Sequence, residues 1–362
     1  GGHVGYAVTA YLSSLGQSVH LFSRRPLLIA RAKTIKVVGS VLCGYYSVSS
    51  CVSQLHAIAS LLGSLPERII VCCRGNDVID YARLIARYAY PEMKILLFSG
   101  SRCDDWVFRQ ELFKQGVLEF NMPAIASATT SPFCCCLKTQ DIVEIKAKKG
   151  SVLIHAQSLE ATQQVFNCFQ PLFGNLQTAS CSLEVALEKR NDITHIPLML
   201  TSARSLEHGH AHLFYHEVGS RIASLIEAMD SERLKIGQAY GLQLRDWSTW
   251  HQAEYQTEGS TVYENLQQTS AYQNSFVDLL DDRYLIEDVP HGAIPLQVLA
   301  KIAGVHTPVL DGCIALASQL IDLPTTWNAE SLGVTALQTN EITAYFGQPK
   351  THKPPYLLPP SP

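Results

Sequence analysis

The chain has 362 residues, 47% of them hydrophobic and 17% charged, so it can bury a large core, and its length favours about two domains. A net charge of −4 and an isoelectric point near 6.4 exclude the broad basic surface that binds nucleic acids or anionic membranes. No apolar run reaches the roughly 18 residues of a membrane helix, and no signal-peptide pattern opens the chain, so we predict a cytoplasmic protein that acts on small molecules.

The first residues resemble a dinucleotide-binding turn. Gly1, Gly2, His3, Val4 and Gly5 fit the later part of a G-x-G-x-x-G fingerprint, whose first glycine and first strand would precede residue 1. In such a turn the glycines let the backbone approach a pyrophosphate and let helix and strand pack closely. The alternative is a flexible glycine-rich end, because the fingerprint alone is weak.

The next strand supports the nucleotide interpretation. The apolar run Ser18 to Phe22 ends about 20 residues beyond the turn, where a dinucleotide fold reads the ribose. Ser23, Arg24 and Arg25 follow it, and a hydroxyl with guanidinium groups suits the 2′-phosphate of NADPH better than the ribose hydroxyl of NADH. We predict NADPH as the cofactor, with NADH left open and a solvated charged turn as the alternative.

The first half of the chain alternates short apolar runs with helical periodicity, which predicts a doubly wound α/β Rossmann domain over residues 1–185. Two further segments predict a hairpin that closes the sheet, Ile142 to Ile145 and Ser151 to Ile154. Besides the strand that ends at Phe22, the predicted strands are Arg68 to Cys73, Lys94 to Phe98 and Val117 to Phe120.

The second half changes to long helical periods and predicts an all-α domain over residues 186–345. Its helices include Pro197 to Glu207, which we expect to begin at the proline, and Thr307 to Leu320. Residues 346–362 are rich in proline and predict a disordered tail.

The cysteines predict no metal site and no disulfide framework. The chain is far longer than the small secreted domains that depend on disulfides. Cys134, Cys135 and Cys136 are consecutive and lack the spacing with which thiolates converge on zinc. His208, His210 and His212 alternate and would share one strand face, so a metal site there is a minor alternative.

Two motifs in the second half resemble the octopine/nopaline dehydrogenase family. They are Asn191-Asp-Ile-Thr-His195-Ile-Pro197 and Asp282-Arg283-Tyr-Leu-Ile-Glu287-Asp288-Val-Pro290-His-Gly292. Further matching segments follow the family's order and approximate spacing, at Ile226 to Leu234, Thr261 to Leu266 and Ala303 to Pro308. The resemblance covers most of the chain and implies a Rossmann domain followed by an α-helical domain.

The resemblance also implies roles for single residues. His195 corresponds to the catalytic histidine and Asp288 to the carboxylate that orients it, while Arg283 corresponds to the arginine that grips a carboxylate of the substrate. Asn191 would hold substrate or nicotinamide. We expect His195 at a helix start, where the helix dipole and Asp288 would balance its pKa.

The sequence departs from the family at two positions. The family often has proline at the position of Ile196, so this change could displace the catalytic histidine, and it commonly has asparagine at the position of Ser202, so that change could alter amino-acid preference.

The predicted function is reductive condensation of an amino acid with a 2-oxo acid, pyruvate or 2-oxoglutarate, through an imine. A related ketopantoate-type reductase and a non-catalytic NADPH sensor are the alternatives. A homodimer is left open, because fold does not fix the oligomeric state.

Overall fold

The computed structural model describes residues 2–24, 34–139 and 142–321, in two compact units, residues 1–179 and 180–362. The predicted domain boundary at 185/186 falls inside a helix of the second unit, Ser182–Glu188. Gly1, Arg25 and the predicted tail over 346–362 lie outside the described residues. The two units are described separately below.

Unit 1 is an α/β domain. Its described helices are α1 (His3–Ser14), α2 (Leu55–Leu62), α3 (Val78–Ala86), α4 (Asp104–Lys114) and α5 (Leu159–Phe173). Its described strands are β1 (His20–Phe22), β2 (Thr34–Gly39), β3 (Gly44–Ser47), β4 (Ser50–Val52), β5 (Arg68–Cys72), β6 (Lys94–Phe98), β7 (Ala124–Ala128), β8 (Phe133–Leu137), β9 (Ile142–Lys148), β10 (Val152–Ala156) and β11 (Leu176–Thr178).

A five-stranded sheet in the order β11-β10-β7-β6-β5 forms the centre of the described part of unit 1. Strands β5, β6 and β7 run parallel, and β10 is antiparallel to β7. Nearly every residue of β6 and β7 is buried, as expected for strands covered on both faces. The predicted strands at Arg68 and Lys94 are confirmed.

One predicted strand is wrong. Val117 to Phe120 forms a loop that leads into the 3₁₀ turn Glu119–Asn121, and Leu118 and Phe120 are exposed. The strand follows instead at Ala124–Ala128, where alanine and serine have low intrinsic β-propensity. Burial by the surrounding sheet and helices, rather than local preference, makes this segment a strand.

The predicted hairpin is also wrong. Although β9 and β10 are neighbours in the chain, they belong to different sheets: β9 pairs with β2 and β8, whereas β10 pairs with β7 and β11. The burial patterns explain the separation. Val143 and Ile145 alternate with more exposed residues in β9, whereas β10 is buried along almost all of its length.

A cavity of about 460 Å³ lies between β1 and β5. Residues of both strands line it, together with apolar side chains of the flanking helices, among them Val8, Ile58 and Leu172. Among the described strands, β1 pairs only with β4 and β5 pairs only with β6. Each strand therefore has one edge that is not paired within the described part of the chain.

Unit 2 is predominantly helical. Its described helices are α6 (Ser182–Glu188), α7 (Asn191–Glu207), α8 (Ser220–Ala239), α9 (Trp247–Tyr255), α10 (Val262–Gln268), α11 (Arg283–Ile286), α12 (Ile294–Ile302) and α13 (Pro308–Leu320). A two-residue antiparallel ribbon pairs β12 (His212–Leu213) with β13 (Phe276–Val277). Between α11 and α12, Val289–Ala293 forms one π-helical turn. No helix in the described ranges of either unit is long and apolar enough to cross a membrane.

Helix α7 starts earlier than predicted. It begins at Asn191 and contains Pro197 as its seventh residue, whereas the sequence predicted a start at the proline. A proline inside a helix removes one backbone hydrogen bond, so the surrounding packing must hold this helix. Helix α13 begins at Pro308, and Gly304 follows α12 with φ +67°, a conformation that favours glycine.

Candidate active site

His195 and Asp288 meet inside unit 2. The Nδ1 atom of His195 lies 2.6 Å from Oδ2 of Asp288, and each residue is only 6% exposed. His195 is the fifth residue of α7, and Asp288 lies at the junction of α11 and the π-helical turn. The structure thus brings together the two residues that the sequence predicted as a pair, although they are 93 positions apart.

A glycine sets the distance between the two segments. A β-carbon on Gly292, in the π-helical turn, would lie 2.6 Å from the β-carbon of Asp192, in the first turn of α7. Real side chains do not approach so closely, so only glycine allows this contact. π-helical turns are frequent at functional sites, and this one carries Asp288 to the histidine.

The other nitrogen of His195 is also engaged. Its Nε2 atom lies 2.9 Å from the hydroxyl oxygen of Tyr215. Because a carboxylate can only accept hydrogen bonds, Nδ1 of a neutral ring donates to Asp288, and Nε2 then accepts from Tyr215. Both hydrogen bonds select the same tautomer of a neutral imidazole.

Three aromatic side chains surround the histidine. Phe214 and Tyr284 stack with ring centroids 4.2 Å apart at 3°, and the Tyr284 ring lies 4.3 Å from that of His195. Tyr215 completes the set. None of the three was predicted as a site residue from the sequence. Tyr284 follows Arg283 within the second motif and could have been found there. No sequence pattern marks the loop that carries Phe214 and Tyr215.

His195 is neutral in the folded chain. Burial, followed by the positive charge of Arg283, lowers the pKa of His195 to about 3, although the carboxylates of Asp282 and Asp192 act in the opposite direction. The predicted balance near neutrality is therefore wrong. Removing the imidazole from water has a larger effect on its pKa than a nearby carboxylate.

Arg283 and Asn191 lie on the two segments that carry the pair. Arg283 is the first residue of α11, it is exposed, and its guanidinium carbon lies 5.5 Å from the centre of the Tyr284 ring. Asn191 precedes His195 by four residues on α7 and so lies one turn away on the same helix face. Both predicted substrate residues therefore belong to the segments that hold His195.

A buried ion network fixes the start of α7. Arg190 is the N-cap residue, and its Nη1 lies 2.7 Å from Oε2 of Glu188, while Nε of Arg233 lies 2.7 Å from Oδ1 of Asp230. All four residues are at most 3% exposed. Both arginines donate to the carbonyl oxygen of Arg245 at 2.6 Å. These contacts explain how α7 can begin six residues before its proline.

The predicted nucleotide turn forms the start of α1 in unit 1. Gly2 is the N-cap residue, and His3 and Val4 open the first turn. A β-carbon on Gly2 would meet no atom within 4 Å. At Gly5 a β-carbon would lie 3.7 Å from Cys72, an ordinary contact, so the structure does not show the close packing for which we expected glycine there.

Arg24 lies just after β1 but is held by carboxylates. It forms ion pairs with Asp77 and, at 2.7 Å, with Asp80. Its guanidinium carbon lies 5.1 Å from the centre of the Tyr81 ring. Ser23 beside it is buried. The arginine is thus in the predicted place, but within the described residues it already has two anionic partners.

The histidines after α7 do not share a strand face as the sequence suggested. His208 is the C-cap residue after α7, His210 lies in the irregular segment that follows, and only His212 belongs to a strand. Over residues 2–24, 34–139 and 142–321, no three His, Cys, Asp or Glu side chains form a group that could hold a metal ion. All eleven cysteines carry free thiols.

Comparison with known proteins identifies this arrangement. Residues 178–321 match the family model described as NAD/NADP octopine/nopaline dehydrogenase, alpha-helical domain. An opine dehydrogenase of Arthrobacter sp. (strain 1C) is 27% identical over 352 residues, covering 95% of this chain and 94% of that protein. The helical unit of this chain is thus similar to the α-helical domain of the octopine/nopaline dehydrogenases, and the whole chain is similar in sequence to an opine dehydrogenase. The resemblance stated from the sequence is confirmed.

Solved structures of the octopine/nopaline dehydrogenases share the fold. An octopine dehydrogenase solved with NADH and L-arginine aligns with a TM-score of 0.73 at 17% identity, covering 98% of both chains. Yersinopine dehydrogenase with NADP⁺ aligns at 0.67 and 15% identity, covering 95% of both. The predicted fold class, an α/β dinucleotide-binding domain followed by an α-helical domain, is confirmed.

A second group of enzymes shares this fold with the octopine/nopaline dehydrogenases. The 2-dehydropantoate 2-reductase of Geobacter metallireducens GS-15 aligns with a TM-score of 0.65 at 14% identity, covering 89% of this chain and 98% of that one. Fold alone therefore does not separate the two chemistries.

Ile196 and Ser202 are the two departures from the family's usual pattern. Ile196 is fully buried directly beside His195, yet the histidine keeps its contact with Asp288. Ser202 lies further along α7 and is half-buried.

Proposed function

We propose that this chain is an NADPH-dependent opine dehydrogenase. It joins the amino group of an amino acid to a 2-oxo acid, pyruvate or 2-oxoglutarate, and reduces the resulting imine to an N-(carboxyalkyl)amino acid. The similarity to opine dehydrogenases supports assignment as an NAD(P)-dependent oxidoreductase. The cytoplasmic location predicted from the sequence stays a prediction, and a homodimer stays open.

The observation that carries the proposal is the contact between His195 and Asp288. Imine formation and reduction both require a proton to move at an oxygen or a nitrogen of the substrate. A histidine whose orientation and tautomer are fixed by a buried carboxylate is suited to that transfer. The 2.6 Å contact supports this role.

Arg283 is the proposed anchor of the 2-oxo acid. A guanidinium can hold a carboxylate through two parallel hydrogen bonds, and Arg283 is exposed and charged next to the aromatic group around His195. The positive charge of Arg283 contributes, after burial, to lowering the pKa of His195. Asn191, one helical turn from His195, supplies an amide for a substrate carbonyl or carboxylate.

The residues of unit 1 fit a nicotinamide dinucleotide, which supplies the hydride when it is bound. The accessible backbone around Gly2, at the positive end of α1, suits a pyrophosphate. Ser23 and Arg24 follow β1, where the ribose is read. Related solved structures carry NADH in one case and NADP⁺ in another, which supports a cofactor of this class.

We favour NADPH because a phosphate group could replace one of the carboxylates that pair with Arg24. The Arg24 side chain is 35% exposed and that of Asp80 is 48% exposed, and ion pairs at such sites stabilise a protein by only about 0–1 kcal/mol. A 2′-phosphate offers the same guanidinium a stronger, doubly charged partner. Binding NADPH then requires only that Arg24 release one carboxylate.

Reduction of a 2-oxo acid without an amine is the second candidate. The fold shared with 2-dehydropantoate 2-reductase favours it. Such a reaction needs no amino-acid substrate, so the requirement for an amine separates the two functions.

The test follows NADPH absorbance with pyruvate or 2-oxoglutarate, with and without a panel of amino acids. Wild type is compared with His195→Ala, and with His208→Ala as a control at an exposed histidine of the same helix. Oxidation that needs both substrates and is lost only in His195→Ala supports the proposal. Oxidation with the oxo acid alone supports the reductase, and NADPH binding without turnover supports a sensor.

A further inference from the structure

The hydrogen bonds of His195 leave neither ring nitrogen open to a substrate in this structure. Nδ1 is committed to Asp288 at 2.6 Å, and Nε2 accepts from the Tyr215 hydroxyl at 2.9 Å. In this tautomer Nε2 carries no proton that it could give away. The exchangeable proton on that side of the ring belongs to Tyr215.

Tyr215 is held in place on several sides. Its ring stacks on Tyr272 with centroids 4.0 Å apart at 17°, and Phe214 lies edge-on at 4.7 Å. Only 8% of the surface of Tyr215 is exposed. A hydroxyl fixed in this way is pre-organised for one direction of transfer.

We propose that Tyr215 is the catalytic residue that exchanges a proton with the substrate, while His195 and Asp288 act behind it as a relay. This inference rests on the proposed function. In opine oxidation, the proton of the substrate N–H passes to Oη of Tyr215 as the Tyr215 proton passes to Nε2 of His195. Oxidation also removes a hydride from the substrate carbon as the C=N bond forms, and a bound nicotinamide dinucleotide would accept that hydride with its electron pair.

The charges balance at each end of the relay. His195 gains one proton and becomes an imidazolium that Asp288 stabilises, and Tyr215 ends with the proton count with which it began. In the reductive direction, Nε2 of His195 returns a proton to Tyr215 as Tyr215 donates one to the imine nitrogen. In the competing assignment, Tyr215 only covers Nε2 of His195 as a cap. The substrate then displaces the Tyr215 hydroxyl, and His195 exchanges the proton with the substrate directly.

Tyr215→Phe separates these assignments, because it keeps the ring and removes only the hydroxyl. Tyr272→Phe is the matched control, since its ring stacks on Tyr215 and is equally buried, at 8% exposed. A relay predicts that kcat of Tyr215→Phe falls by about 10²-fold or more, with KM changed little. Tyr272→Phe should stay close to wild type.

The number of protons transferred in the rate-limiting step gives a second measurement, and this number would not change if Tyr215 were only structural. For the relay, kcat in mixtures of H₂O and D₂O follows a curved proton inventory in wild type and a straight one in Tyr215→Phe. Unchanged or faster turnover of Tyr215→Phe, with the curvature retained, overturns the relay in favour of the cap.

Failure of the relay is distinguishable from failure of the proposed function. If wild type turns over no amine and oxo-acid pair, the function itself is wrong and the relay falls with it. If wild type is active and His195→Ala is inactive while Tyr215→Phe is normal, only the relay is wrong.

Discussion

The α-carbon of Gly292 faces the side chain of Asp192 so closely that a β-carbon on the glycine would lie 2.6 Å from the aspartate's own. This contact joins the π-helical turn to α7, the two segments that carry Asp288 and His195. The distance between His195 and Asp288 therefore depends on the absence of a side chain at Gly292.

Gly292→Ala should weaken catalysis without removing any functional side chain. The added methyl forces the turn away from α7, and overpacking of this kind destabilises proteins by about 1–3 kcal/mol. We expect kcat to fall at least tenfold, on the order seen when positioning is disturbed. Gly219→Ala is the control, because a β-carbon there meets no atom within 4 Å. Equal activity of the two variants would contradict this role of Gly292.

Arg24→Gln should lower the preference for NADPH over NADH. If Arg24 reads the 2′-phosphate, kcat/KM for NADPH falls by about tenfold or more while that for NADH stays unchanged, since one bidentate guanidinium contact is lost. Arg83→Gln serves as the control, because Arg83 also faces Asp80 but lies on α3. A parallel loss with both cofactors would show that Arg24 supports unit 1 rather than reads the phosphate.

Occupation of Arg283 by a carboxylate should raise the pKa of His195. In the free chain the charge of Arg283 adds to burial in lowering that pKa to about 3, and a bound anion neutralises the charge. NMR titration of the imidazole should show an upward shift on addition of pyruvate. Arg283→Gln should start from a higher pKa and show no further shift. A pyruvate-independent pKa in wild type would argue against carboxylate binding at Arg283.

Stability should fall in mild acid because two histidines of unit 2 are buried as neutral rings. Burial lowers the pKa of both His195 and His291 to about 3, from an ordinary value of 6.5. The unfolded chain therefore takes up protons first, and the stability present above pH 6.5 is lost as the pH falls toward 3. The loss is about 1.4 kcal/mol per pH unit for each histidine.

Urea unfolding between pH 7 and pH 5 measures that loss. His291→Phe removes one of the two groups, so its free energy of unfolding should depend less steeply on pH than that of wild type. Identical slopes would mean that His291 does not titrate on unfolding.

Much of the architecture was predictable because local pattern and burial agree. The β-branched run at Arg68–Cys72 and the apolar run at Lys94–Phe98 predict strands from sequence alone, and they are strands. Ala124–Ala128 was missed because four of its five residues are alanine or serine, which have low β-propensity. Nothing local distinguishes β9 from β10 as members of two sheets.

The candidate site divides in the same way. His195 and Asp288 could be predicted because a recognisable motif surrounds each of them, and the structure brings them into contact. Tyr215 could not be predicted as a site residue, because it lies in a loop without periodicity. Its proposed role depends on its contact with His195, which is 20 positions away in the sequence. The low pKa of His195 depends on burial by the whole unit, which no short motif reports.

The buried charges at the start of α7 also constrain which substitutions the sequence can accept during evolution. Neutralising one member of the set formed by Glu188, Arg190, Asp230 and Arg233 leaves an opposite charge inside the unit, and breaking a buried pair typically destabilises by about 3–5 kcal/mol. Replacing both members of a pair by apolar residues avoids that penalty. Among relatives, these positions should therefore covary, with each acid and its arginine exchanged together.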